Sequence, residues 1–301
     1  MRARRAAAIA AAALGVVLAG CASAPRPPSA LEGRIWDVRA GAFIPEDALV
    51  ARLSAARYRL LGELHDHPEH HRLRARLVAR LAADHPQVFF EQFDRENDAP
   101  LRDAQRPGAG ADALARAGKI DAGWQWPLHR PLVQAALDAG LAIRAANLSG
   151  AQARRIATGS DPRNVAPELG GTLSGAAWTS ADEAGLRTEI LESHCGALPD
   201  RVAAPMALAQ RTRDAAIAVA LGSAPGPAIL IAGNGHVRRD RGVPRYLPDP
   251  RDALSVGFLE VTSGATDPRA AAGRAESPAY DYVWFTAPQP RQDPCEAFRK
   301  K

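Results

Sequence analysis

The chain has 301 residues, of which 47% are hydrophobic, 24% charged and 5% aromatic, a composition that excludes disordered and collagen-like classes and makes one large domain the default. Its 38 basic and 33 acidic residues give a net charge of +5, but Arg2, Arg4 and Arg5 lie in a segment expected to be removed, leaving 35 basic against 33 acidic residues, or +2. That balance removes the case for nucleic acid as a partner, because phosphate-binding domains need basic clusters with few compensating acids.

Residues 1–20 open with those arginines, run through uncharged apolar residues from Ala6 to Leu18 and end in Ala19-Gly20 ahead of Cys21. This is the anatomy of a secretory signal peptide. Leu18-Ala19-Gly20-Cys21 is similar to the bacterial lipobox, so residues 1–20 are expected to be a lipoprotein signal peptide and Cys21 the palmitate-bearing N-terminus of the mature chain. A plain secretory signal or a short membrane anchor is the alternative, although the run is shorter than the ~20 residues of a comfortable span. Ala22 stands where an Asp would resemble an inner-membrane retention signal, which favours lipid anchoring to the outer membrane, facing the periplasm. Pro25, Pro27 and Pro28 make residues 21–30 an extended tether. The domain is then residues 31–301.

Within that domain the expected strands are Tyr58 to Leu61, Val88 to Phe90, Leu141 to Ala146, Ala228 to Ala232, Leu254 to Val261 and Tyr282 to Phe285. Helical patterns separate most of them, which predicts an α/β domain with a mainly parallel sheet flanked by helices. After the first strand, Asp66 and Glu69 form an expected capping box around Pro68, and Leu73, Leu77, Val78 and Leu81 follow at helical spacing. Pro131 opens another helix, which Gly140 closes before the Leu141 strand. Residues 95–128 and 150–222 lack convincing strands and predict helical insertions that form a smaller subdomain, and residues 264–279 read as a loop.

The residues that follow the strands carry the chemistry. They read Gly62-Glu63-Leu64-His65, Glu91-Gln92, Asn147 and Gly233-Asn234-Gly235-His236. In a parallel sheet these carboxyl ends converge on one edge, where open α/β sheets place their ligands. Glu63, His65, Glu91 and His236 are thus a catalytic or ligand cluster, with His65, Glu91 and His236 able to hold a divalent metal, or with the four acting as general acid and base. The alternative is a hydrogen-bonded network that fixes loops. His67, His70 and His71 fall on the first turns of the following helix, and His70 is expected to be the one facing the site. On the Met206 to Leu221 helix, Gln210, Arg213 and Asp214 either clamp the helix to the sheet or reach into the crevice. With Cys21 acylated, Cys195 and Cys295 remain: a disulfide, two buried thiols, or Cys195 as a ligand beside His194.

Leu61-Gly-Glu-Leu-His65 with His70-His71, Phe89-Phe-Glu91-Gln-Phe-Asp94, Ala145-Ala-Asn147-Leu, His194-Cys195, Ala209-Gln210 with Arg213-Asp214, and Ile231-Ala-Gly-Asn-Gly-His236 with Gly242-Val-Pro244 together resemble the ChaN family of haem-binding uptake lipoproteins. That family is similar in turn to the Tiki, TraB and erythromycin-esterase proteins. The resemblance runs from Arg34 to Cys295 and implies an outer-membrane lipoprotein that binds haem for iron uptake, as a homodimer sandwiching haems between subunits. Relatives in the wider superfamily use the paired Gly-x-x-His motifs for hydrolysis, sometimes with metal. Haem ligation in the family is associated with a tyrosine. Here Tyr58, Tyr246, Tyr280 and Tyr282 all lie outside the two insertions, and His129 stands where relatives often have tyrosine. His70, His129 and His194 are therefore the histidines to which the resemblance directs a search for a haem ligand.

Overall fold

The computed structural model describes residues 28–272, 278–293 and 295–296. The expected signal peptide, the lipidated Cys21 and most of the tether lie outside the described residues. The strands are β1 (Ile35–Asp37), β2 (Ala42–Ile44), β3 (Tyr58–Leu61), β4 (Gln87–Asp94), β5 (Ile143–Asn147), β6 (Ala228–Ile231), β7 (Ala253–Glu260) and β8 (Tyr282–Thr286). Among the described residues they form one sheet in the order β2-β1-β8-β7-β3-β6-β4-β5. From β8 to β5 every pairing is parallel, and the β1–β2 hairpin adds antiparallel strands at the β8 edge. That hairpin has no counterpart in the sequence reading, because strands of three residues are too short for a period-two pattern to register.

The helices are α1 (Glu46–Ser54), α2 (Pro68–Arg80), α3 (Asp98–Asp103), α4 (Ala111–Ala117), α5 (Arg130–Asp138), α6 (Gly150–Ala157), α7 (Pro162–Val165), α8 (Gly170–Gly175), α9 (Ser180–Ser193), α10 (Asp200–Gly222) and α11 (Pro268–Ala272). β3 and β6 are buried at every residue, as expected of central parallel strands covered on both faces. Alternation divides them between two cores. Leu61, Ile229 and Ile231 pack with α1, α2, α4 and α5, whereas Leu60, Ala228 and Leu230 pack beneath Ile217 and Leu221 of α10. Of the two expected insertions, the first contributes Leu101, Ala111 and Leu114 to the sheet's own core. The second carries small clusters of its own around Ile156 and Leu169 and around Leu186 and Ile190. No helix among the described residues is long and apolar enough to cross a membrane.

The Asp66–Glu69 capping box is not formed. His67 is the N-cap of α2, without a side-chain cap bond, because Pro68 takes the first helical position and Asp66 instead receives Arg291 Nε at 2.7 Å. The segment after β8 is further tied down where Arg291 reaches Glu260 Oε2 at 2.7 Å and where Cys295 is joined by a disulfide to Cys195, just past the end of α9.

Gly62 shows how tightly the sheet edge is built. A Cβ there would lie 2.2 Å from Asn234 Oδ1 and 3.1 Å from the Val256 carbonyl oxygen. Asn234 cannot retreat, since Oδ1 accepts from Phe258 N at 3.1 Å and Nδ2 donates to Phe258 O at 2.7 Å. We expect Gly62→Ala to lower stability by about 1–3 kcal/mol through overpacking, read as a lower urea midpoint with an unchanged m-value; an unchanged midpoint would contradict this packing.

Candidate functional site

The carboxyl ends of β3, β4 and β6 deliver Glu63, Glu91 and the Gly233–His236 turn to one crevice of about 490 Å3, which Trp124, Gln210 and Arg213 close from the side. A second cavity of about 560 Å3 shares Trp124, Gln210 and Arg213 with it and continues over Gly150, Ala153 and Met206. The larger cavity of about 860 Å3 around Arg102 and Arg144 lies at the opposite ends of β4 and β5 and includes none of the predicted residues.

Glu63 is the hub of the first half of the site. Its Oε1 accepts from His65 Nδ1 at 2.7 Å and from Gln92 Nε2 at 3.0 Å. Its Oε2 is paired with the fully buried Arg74 guanidinium. His71 Nε2 donates to the His65 carbonyl at 2.9 Å, which leaves Nδ1 as an acceptor for Arg74 Nη2 at 3.0 Å. Burial lowers the pKa of His71 and keeps it neutral. Burial also lowers Arg74, to about 9, against the upward pull of Glu91, so it is still cationic at neutral pH.

His236 organises the second half. Its Nδ1 lies 2.6 Å from Asp214 Oδ1 and its Nε2 3.2 Å from Glu91 Oε1. Burial alone would lower its pKa, but the two carboxylates raise it to about 10. Both ring nitrogens are therefore donors. Burial would raise Glu91, yet His236, His65 and the Gly233 N–H, 2.7 Å from Oε2, hold its carboxyl well below the usual range. Asp214 goes the other way: its burial outweighs the pull of His236 and lifts it to about 6.

The sequence-predicted cluster is thus assembled as two linked units. Glu91 and His236 neutralise each other, while the His65 ring stands at the crevice wall, 46% exposed, with its centroid 4.9 Å from that of Trp124. Gln210 and Arg213 line the crevice and Asp214 anchors His236, so α10 reaches into the site.

The other histidines are placed differently. His70 does not face the crevice: it accepts from Leu64 N at 3.0 Å, contacts Thr286 Oγ1 at 2.8 Å, and stacks on His67 at 3.8 Å. Helix rotation explains this, since α2 turns His71 and Arg74 toward Glu63 and His70 toward β8. His129 is 1% exposed, edge-on to His71 at 4.5 Å, and neither ring nitrogen has a hydrogen-bond partner among the described residues. His194 lies at the end of α9, its Nδ1 bonded to the Ile190 carbonyl at 2.7 Å. The structure therefore does not bring His70, His129 and His194 together.

Glu63, His71 and His129 each bring one ligand atom within 4.8 Å of the others, the spacing of a cation site. The donor set does not fit a metal ion, because the Arg74 guanidinium already lies against both Glu63 Oε2 and His71 Nδ1. Arg74, His71 and Trp124 escape the sequence reading as site residues. Arg74 has a signal: it is a charged residue on the buried stripe of Leu73, Leu77 and Val78.

A family model described as haem-binding uptake, Tiki superfamily, ChaN matches residues 49–247. Among solved structures, the chain is similar to one described as cofacial heme binding to ChaN of Campylobacter jejuni, with a TM-score of 0.69 and 21% identity over 85% of this chain and 98% of that one. It is also similar to the type III effector HopBA1, with a TM-score of 0.46 and 15% identity over 81% of this chain and 93% of that one. A mutant of the erythromycin esterase EreC in its open conformation matches with a TM-score of 0.41 and 14% identity over 77% of each chain. No curated protein matches the chain significantly.

Proposed function

Because the chain belongs to the haem-binding uptake family, ChaN, of the Tiki superfamily, we propose that it binds haem at the crevice described above and serves haem and iron uptake as an outer-membrane lipoprotein anchored through Cys21. The family match carries this reading: residues 49–247 take in every residue that lines the crevice and the adjoining cavity except Tyr280. The chemistry of the walls supports it. Trp124, Met206 and three alanines offer apolar surface, with Arg154 and Arg213 beside it for the two carboxylates of a porphyrin. A homodimer belongs to the same proposal.

Titration of the full chain with ferric haem, followed by visible spectroscopy and elemental analysis, tests it. The expected result is saturation at about one haem per chain with a defined ligand spectrum. Non-saturable, featureless binding would overturn it.

A second reading, a hydrolase, is favoured by the Glu63–His65 pair. Glu63 fixes the His65 tautomer with its proton on Nδ1, which leaves a half-exposed Nε2 as a base toward a water molecule in the crevice. In that reading, His65→Gln abolishes turnover and leaves the fold unchanged, since the ring is half-exposed.

A further inference from the structure

An iron ligand must be exposed enough to reach a bound haem. Tyr58, Tyr246, Tyr280 and Tyr282 are all at most 7% exposed, and His67, His70, His71, His129 and His236 at most 5%. Among the described residues this leaves His65, His85 and His194. His85 follows a turn at the amino end of β4, at the opposite edge of the sheet. His194 lines neither of the two cavities that meet at Trp124.

His65 meets the requirements of a ligand on four counts. Its Nδ1 donates to a buried carboxylate, which leaves the lone pair on Nε2; a carboxylate behind the imidazole is the arrangement that orients metal-binding histidines and makes them more basic. Glu63 is itself held by Arg74 and Gln92, so the ring has a rigid support. The ring is 46% exposed, and Gly233, where a Cβ would lie 2.9 Å from Nε2, lets the turn after β6 pack against that edge without a side chain over it. Finally, the ring stands edge-on to Trp124, the aromatic side chain that lines both cavities.

We propose that His65 Nε2 would be the protein ligand to the haem iron in this chain, with Trp124 offering apolar surface and Arg154 and Arg213 offering positive charge to the carboxylates. The assignment rests on the haem-binding reading above. It takes up a role that the buried tyrosines, Tyr280 at the crevice among them, are too little exposed to fill, and it uses a residue of the Gly-x-x-His motif instead. One lone pair cannot serve two purposes, so haem bound in this way also silences His65 as a base.

The test is ferric haem titration of the full chain in detergent, comparing wild type with His65→Ala, Gly233→Ala, Glu63→Gln and His194→Ala by absorption and electron paramagnetic resonance. Wild type should show a histidine-ligated spectrum. His65→Ala should lose that signature, and added imidazole should restore it. Gly233→Ala keeps the histidine but crowds Nε2, and should weaken the signature while circular dichroism stays unchanged. Glu63→Gln should weaken haem binding by about 10–100-fold, the usual cost of losing a ligand's outer partner. His194→Ala should match wild type.

A wild-type spectrum retained in His65→Ala, or lost in His194→Ala, would overturn the assignment and leave haem binding itself intact. Failure of wild type to saturate would instead overturn the function on which it rests.

Discussion

Replacing His236 with alanine is expected to lower the free energy of unfolding at pH 7 by about 3–5 kcal/mol, the cost of stranding a buried charge. The imidazolium lies between Asp214 and Glu91, both almost fully buried, and its removal leaves two carboxylates facing each other without a cation. The pH dependence gives the prediction a second handle. His236 is raised from 6.5 to about 10, so its stabilisation is complete below about 6.5 and is lost as the pH climbs through about 10. Glu91 is depressed from 4.5, so its share is present above 4.5 and lost on acidification. Asp214, raised from 3.8 to about 6, stabilises only below 3.8 and opposes folding above about 6. Wild type should therefore weaken between pH 7 and 10 more steeply than His236→Ala, and the gap between them should also narrow below pH 6, as a stranded carboxyl takes up a proton. Urea unfolding at pH 5, 7 and 9 measures this. Parallel stability curves for the two proteins would mean that His236 is neutral in the fold.

Arg74→Ala is expected to cost about 3–5 kcal/mol as well, because it leaves the buried Glu63 carboxylate without its cation. The informative comparison is the double variant Arg74→Met with Glu63→Gln. Methionine fills much of the arginine's volume, and glutamine keeps an acceptor toward His65 and Gln92. Removing both charges should recover most of the loss, giving a coupling energy of about 2 kcal/mol or more in a double-mutant cycle. Additive single effects would show that the two side chains do not depend on each other.

The sheet is readable from sequence because its central strands obey simple rules. Tyr58, Leu60 and Leu61 suffice to mark Tyr58–Leu61 as a buried strand, which has those bounds in the structure, with the buried Arg59 paired to Asp84. The placement of Glu63, Glu91, Asn147 and His236 toward the carboxyl ends of successive strands is enough to expect one crevice, although β4 and β5 run on through Glu91 and Asn147 where the sequence pattern ends them earlier. Which histidine faces it is not readable. His70 and His71 are neighbours on α2, about 100° apart around the helix, and only the rotation set by packing Leu73, Leu77 and Val78 on the sheet decides between them. Arg74 is hidden for a related reason: an arginine in a helical stripe reads as a surface residue until a carboxylate from another strand is seen to meet it. Trp124 sits in a short 3-10 turn, Ala122–Trp124, which has no periodicity to read.

The disulfide from the end of α9 to the segment past β8 closes a covalent ring of chain that contains α10, β6, β7 and β8. The helical insertion is thus fastened at two separated points, by α10 where it crosses the sheet and by Cys295 at the far margin. A segment tied down at both points has no single hinge about which to swing as a body.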